Sequence, residues 1–123
     1  MPGVATTVHI IDDDDAVRES LEALLMVSGF DVETYRSAED FVARGDYGDG
    51  CIVLDINMPG MGGLDLLRML RGRERQLAVV VLTASQTPRI EELVLELGAS
   101  AFLAKPVREA ALFEALRTAL AGR

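Results

Sequence analysis

Cysteine occurs once in this chain, at Cys51, so no internal disulfide can form and a reducing compartment is expected. Histidine also occurs once, at His9, and one His with one Cys is too few for a His/Cys metal site. The opening residues, MPGVATT, have neither the basic start nor the apolar stretch of a secretory signal. No apolar run approaches the roughly 20 residues that cross a bilayer. Proline and glycine are not in excess and no low-complexity tract appears, which argues against disorder. Positive charge is scarce as well. Twelve Lys and Arg face 20 Asp and Glu, a net charge of −8. Phosphate backbones are bound by a surplus of Lys and Arg, so direct binding of nucleic acid by this segment is not expected. A metal cation, or a partner with a basic patch, suits the charge better. The expectation is a soluble, cytoplasmic, acidic domain with no membrane association.

What is present is a regular alternation. With 123 residues, half of them hydrophobic, the chain suits one domain, 1–123, around a single core. Short apolar runs stand at VHII (8–11), VETY (32–35), CIVL (51–54), LAVVVL (77–82) and AFLA (101–104). Most are rich in Val and Ile and bounded by turn residues, as buried strands are, and the more polar VETY is expected nearer an edge. Helical patterns lie between them. Val17, Leu21, Leu24, Leu25 and Ser28 share one helix face that Gly29 can close. Ser37 reads as the cap of a second helix, ahead of Phe41 and Val42. Leu64, Leu67 and Leu70 mark a third. Pro88 opens a fourth, carrying Ile90, Leu93, Val94 and Leu97 before Gly98, and Leu112, Leu116, Ala119 and Leu120 mark the last. Five strands alternating with five helices imply a doubly wound α/β domain with a five-stranded parallel sheet.

In such sheets ligands sit beyond the carboxyl ends of the strands. The first strand ends in Asp12-Asp13, the third in Asp55, the fourth in Thr83-Ala84-Ser85, and the fifth runs into Lys105-Pro106. Three carboxylates, a hydroxyl and an ammonium therefore converge on one rim. Carboxylates within about 4 Å repel by roughly 4 kcal/mol per pair at an effective dielectric near 20. A hard divalent cation with oxygen ligands relieves that repulsion, and Mg²⁺ suits two or three carboxylates with retained waters and a phosphate oxygen. Lys105 adds a positive point charge, and Thr83 with the Ala84 amide can donate to phosphoryl oxygens. The rim reads as a site for a phosphoryl group beside Mg²⁺.

The pieces IIDDDD, VLDINMPGMGG, VLTAS and LAKP, in that order at matching strand ends, resemble the receiver domain of two-component response regulators over essentially the whole chain. DDAVRESLEALLMVSGF and YRSAEDFV look most like receivers of nitrogen-fixation and nitrate-type transcription regulators. The resemblance implies the five-strand, five-helix flavodoxin-like receiver fold and a phosphorylation-dependent signalling switch. Asp55 would be the phospho-acceptor, taking its phosphoryl group from a sensor histidine kinase or phosphotransfer protein. Asp13 would bind Mg²⁺ directly and Asp12 largely through water, with Asp55 and the backbone carbonyl of Asn57 completing the protein ligands. Lys105 and Mg²⁺ would neutralise phosphoryl charge, and Thr83 would bond the attached group. Phe102 fills the family's aromatic switch position, turning inward when Thr83 moves and reshaping the face of helix 4, strand 5 and helix 5. Asn57 and Ser85 would set the lifetime of the phospho-form, and neither is a carboxylate that could activate water. The family also uses a cis bond before Pro106 to aim the lysine. Ile90, Val94, Phe102 and Val107 are candidates for lying near a phosphorylation-dependent homodimer face, with packing in the core as the equal alternative. An output domain, DNA-binding on the pattern of transcription regulators, would lie beyond position 123.

Other readings weigh against this one. An aspartyl-nucleophile, metal-dependent phosphohydrolase wants a second Asp two positions after the first, where Asn57 stands. A nucleotide or flavin binder wants a glycine-rich loop after the first strand, where this chain has acids. A degenerate receiver serving only as a docking module should lack one of Asp13, Asp55, Thr83 or Lys105. The bland readings make His9 a packed strand residue, Cys51 a small buried hydrophobe, and Met58 and Met61 loop packing. Asp15 is the better cap for the first helix, which is expected to begin near Ala16, and Asp14 has no assigned role.

Overall fold

The Val- and Ile-rich runs VHII, CIVL and LAVVVL form the middle of the sheet and the polar run VETY an edge, because a central strand is covered on both faces and an edge strand is not. The structure, a computed structural model, describes residues 6–44, 50–57, 62–71, 77–84 and 87–121. The elements are β1 (Thr7–Ile11), α1 (Asp15–Val27), β2 (Asp31–Tyr35), α2 (Ala38–Arg44), β3 (Cys51–Asp55), α3 (Gly63–Arg71), β4 (Ala78–Thr83), α4 (Pro88–Glu96), β5 (Ala101–Ala104) and α5 (Glu109–Ala121). All strand pairs are parallel, in the order β2-β1-β3-β4-β5. Every residue of β3 and β4 is buried, whereas β2 is only partly covered, as its polar sequence anticipates.

Alternation along the strands sends side chains to two cores. Ile52, Leu54, Val79 and Val81 pack with Phe41, Leu66, Leu67, Leu70 and Val94, so α2, α3 and α4 cover one face. Val53, Val80 and Leu82 pack with Leu21, Leu25, Leu112, Leu116 and Ala119, so α1 and α5 cover the other. Cys51 is buried in that second core, as expected of a small hydrophobe. Among the described residues no helix is long and apolar enough to cross a membrane.

Helix ends follow their chemistry. Ser37 Oγ accepts the Asp40 N–H at 3.0 Å. Thr87 caps α4 ahead of Pro88, its Oγ1 accepting the Ile90 N–H at 3.2 Å. Gly29 and Gly98 adopt positive φ, 99° and 102°, directly after α1 and α4, the conformation that favours glycine at a helix stop. Two details differ from the sequence reading. Ser28 does not share the buried face of α1. It is the exposed C-cap, its hydroxyl donating to the Leu24 carbonyl at 2.9 Å. The cap of α1 is Asp14, not Asp15. Asp14 is extended (φ −86°, ψ 114°), and its Oδ1 accepts the N–H groups of Ala16 at 2.9 Å and Val17 at 3.2 Å. Asp15 is already helical, and its carboxylate pairs with Arg18 one turn on.

His9 is buried in β1 and packs as expected. Its Nδ1 is 3.0 Å from the Tyr35 hydroxyl, and both rings stack edgewise on Phe41. Burial holds the Tyr35 phenol above its ordinary value, aided by Glu33 and Asp40 and opposed by Arg44, whose guanidinium lies 4.7 Å from the ring centre. The folded state therefore keeps its proton where the unfolded chain begins to lose it, near pH ~10. This contribution to stability is complete below that pH and is lost as pH rises through the higher folded value. Urea midpoints should thus fall less between about pH 8 and about pH 10.5 in Tyr35→Phe than in the wild type. Equal slopes would show that the phenol does not titrate with unfolding.

Candidate functional site

The order β2-β1-β3 places the reversal of the winding between β1 and β3, where an open α/β sheet has its crevice. Register then decides what meets there. Ile11 pairs with Leu54, so the next residues, Asp12 and Asp55, come side by side. Thr83 pairs with Ala104, so Lys105 follows immediately beyond it, its N–H donating to the Thr83 carbonyl at 2.8 Å. The Lys105–Pro106 peptide is cis.

Lys105, the only lysine of the chain, lies between two buried carboxylates. Its Nζ is 2.9 Å from Asp12 Oδ2 and 3.2 Å from Asp55 Oδ2. Asp12 Oδ1 accepts the Asp14 N–H at 2.9 Å, and Asp55 Oδ1 accepts the Asn57 N–H at 3.0 Å. Arg18 Nη1 donates to the Asp12 carbonyl at 2.8 Å, tying α1 to the same strand end. Asp13 is exposed, yet one oxygen each of Asp12, Asp13 and Asp55 lie within 4.8 Å of one another.

Burial raises the Asp12 carboxyl above its ordinary value, and the nearby Asp55 charge adds to this, despite the Asp14 N–H and the ammonium. For Lys105 burial acts downward, but the hydrogen bond and charge of Asp12, then Asp55, outweigh it and hold the ammonium above its usual value. The two directions are not symmetric. The lysine side chain, a fifth exposed, has its ammonium favoured by the pair, while for the fully buried Asp12 carboxyl the effect of burial wins. Asp12 Oδ2 is buried and faces the ammonium. A three-carboxylate cluster facing a single ammonium fits a hard divalent cation.

Thr83 is fully buried at the end of β4. Its Oγ1 donates to Asn57 Oδ1 at 3.0 Å, and the Ala84 N–H donates to the same oxygen at 3.2 Å. Phe102 is half-buried on β5 and packs against the core under α2, α3 and α4. Ser85, Met58, Pro59, Gly60 and Met61 lie outside the described residues. The four apolar residues expected on one dimer face do not share it. Val94 is fully buried core, and Val107 packs on the opposite side of the sheet, against the α1–α5 core. Ile90 and Phe102 remain partly exposed on the α4 side. The sequence reading also missed Arg18 and the Asp14 cap. The one available signal for the first was an arginine three residues after an acid, and many surface helices carry the same pair.

A doubly wound domain with acids at the switch point and a lysine on the same rim is a class of α/β protein whose crevice can hold a cation beside an anionic group. A sequence profile of the response regulator receiver domain matches residues 8–117, and the chain belongs to that family. It is 46% identical over 114 residues to the transcriptional regulatory protein FixJ of Azorhizobium caulinodans, covering 92% of this chain and 54% of that protein. It is 38% identical to the transcriptional regulatory protein TdiR of Thauera aromatica, covering 97% of this chain and 53% of TdiR. The chain thus spans about half the length of the curated relatives it matches. The crystal structure of FixJ-N superposes with a TM-score of 0.86 at 35% identity, over 94% of each chain. The response regulator StyR superposes at 0.84 with 37% identity, over 96% of this chain and 60% of that one. Receiver domains serve in general as phosphorylation switches in two-component signalling, paired with histidine kinases.

Proposed function

We propose that Asp55 is the phospho-acceptor of this domain. The observation that carries the reading is the bridge of Lys105 between Asp12 and Asp55, at 2.9 and 3.2 Å, on the rim that also presents Thr83 and the Ala84 N–H. A carboxylate oxygen of Asp55 attacks phosphorus in the phosphohistidine of a kinase or phosphotransfer protein. The new O–P bond forms as the N–P bond breaks, and the imidazole nitrogen leaves with the electron pair. Asp12, Asp13, Asp55 and the Asn57 carbonyl would hold Mg²⁺, which supplies charge neutralisation at the phosphoryl oxygens. Lys105 neutralises the remaining charge from the side of β5. The Thr83 hydroxyl and the Ala84 N–H bond the phosphoryl oxygens once the group is attached.

The phosphohistidine donor is proposed to dock over the hollow of about 260 Å³ lined by Ala16, Val17, Ser20, Lys105, Pro106 and Val107, which opens beside the site. The signal leaves through Thr83, Phe102 and the α4–β5–α5 face, with pairing of two copies through α4 and β5. We take the output to lie in a DNA-binding segment beyond position 123, on the pattern of the transcriptional regulators matched.

Incubation with Mg²⁺ and acetyl phosphate should add the mass of one phosphoryl group, and Asp55→Asn should abolish the gain. Continuous release of phosphate from many different esters would support a hydrolase instead. No mass gain under any donor would sink the reading.

A further inference from the structure

Phosphoryl oxygens, on the reading above, are to be met by the Thr83 hydroxyl and the Ala84 N–H. Both donors already converge on one atom, Asn57 Oδ1, at 3.0 and 3.2 Å. The backbone of Asn57 is held in turn on the acceptor, its N–H donating to Asp55 Oδ1 at 3.0 Å. The side chain thus reaches from the end of β3 to the end of β4 with its carbonyl oxygen toward the two donors. A hydroxyl has one proton to donate and a backbone amide has one. Each can make a well-aligned bond to Asn57 or to a phosphoryl oxygen, not to both.

We propose that the Asn57 amide oxygen is a resting-state stand-in for a phosphoryl oxygen, holding Thr83 and Ala84 until phosphorylation of Asp55 displaces it. This rests on Asp55 being the phospho-acceptor. Burial explains why the exchange takes this form. Thr83 is fully buried, so its hydroxyl must meet an acceptor in both states, whereas exposed Asn57 can hand its amide to water. Asn57 is the group that gives way, and the Thr83 hydroxyl and the Ala84 N–H exchange its oxygen for a phosphoryl oxygen. Asn57 is then a positioning residue that competes with the phosphoryl group and sets how readily the phospho-state is reached.

Beryllofluoride, which mounts on a carboxylate as a phosphoryl analogue, tests the competition directly. In the presence of Mg²⁺ the Asn57→Ala chain should bind it about threefold to tenfold more tightly than the wild type, the worth of one to two neutral hydrogen bonds. The gain should shrink in a Thr83→Val background, where one of the two contested donors is already gone. In the wild-type chain the side-chain amide resonances of Asn57 should move toward those of a solvated asparagine in step with the titration. Unchanged or weaker binding by Asn57→Ala, an equal gain in both backgrounds, or Asn57 resonances that stay put would each overturn the proposal. If the wild type neither binds beryllofluoride nor gains a phosphoryl group, the acceptor role of Asp55 falls, and this proposal with it. Normal phosphorylation with no effect of Asn57→Ala removes the role of Asn57 alone.

Discussion

Lys105→Ala is expected to weaken the fold and to slow phosphorylation by about 10²–10³-fold, the usual loss when one preorganised charge-stabilising group is removed. The two effects share a cause. The ammonium sits 2.9 Å from Asp12 and 3.2 Å from Asp55, and its removal leaves two buried carboxylates facing each other without compensation. Breaking a buried pair typically costs 3–5 kcal/mol. Here the lysine side chain is 20% exposed, so the loss belongs at or below the low end, about 2–3 kcal/mol. Urea denaturation at neutral pH measures it. Divalent cation should restore more stability to Lys105→Ala than to the wild type, because the vacated position makes the carboxylates a stronger cation trap. Because the chain has no other lysine, a label on its one ε-amine reports on this site alone. A variant that unfolds at the wild-type urea concentration and accepts phosphoryl at the wild-type rate would remove Lys105 from both roles.

Much of this arrangement is legible in the sequence. Val and Ile runs bounded by turn residues became the strands, and parallel winding put their carboxyl ends, with Asp12, Asp13, Asp55, Thr83 and Lys105, on one rim. That inference needs only periodicity and the chirality of crossovers, both of which are averaged over many residues. What was not legible turns on single dihedrals and single side-chain directions. Four consecutive aspartates offer four chemically equal caps. Asp14 takes the role because β1 closes at Ile11 and Asp12 is held by Lys105, which leaves Asp14 as the last extended residue before the helix. The common face assigned to Val94, Phe102 and Val107 failed for a related reason. Hydrophobicity marks a residue as covered without saying which side of the sheet covers it, and Val107 lies after the strand, where alternation no longer applies. The direction of the Asn57 amide is likewise set by donors from β4, far away in sequence.

The pair Gly62-Gly63 carries the other large effect, and here two identical letters have opposite physics. A Cβ at Gly63 would lie 2.6 Å from Ile56 Cα and 2.9 Å from the Asp55 carbonyl oxygen. Both are backbone atoms directly at the acceptor, so no side chain can swing aside to make room. The first turn of α3 would have to lift from the end of β3. Gly63→Ala is therefore expected to cost about 2–3 kcal/mol, the upper range for overpacking, even though alanine is the better helix former. It should also slow phosphorylation, because the displaced backbone carries Asp55 and, one residue beyond Ile56, Asn57. At Gly62 the nearest atom to an added Cβ is Asp65 Oδ2 at 3.9 Å, an ordinary contact. Gly62→Ala loses no more than the small advantage of glycine as a helix cap, below about 1 kcal/mol, and should be phosphorylated normally. Urea midpoints and phosphoryl uptake of the two variants, measured side by side, decide the matter. Equal stabilities, or a larger loss at Gly62, would show that the close approach of α3 to the acceptor strand is not what requires glycine at position 63.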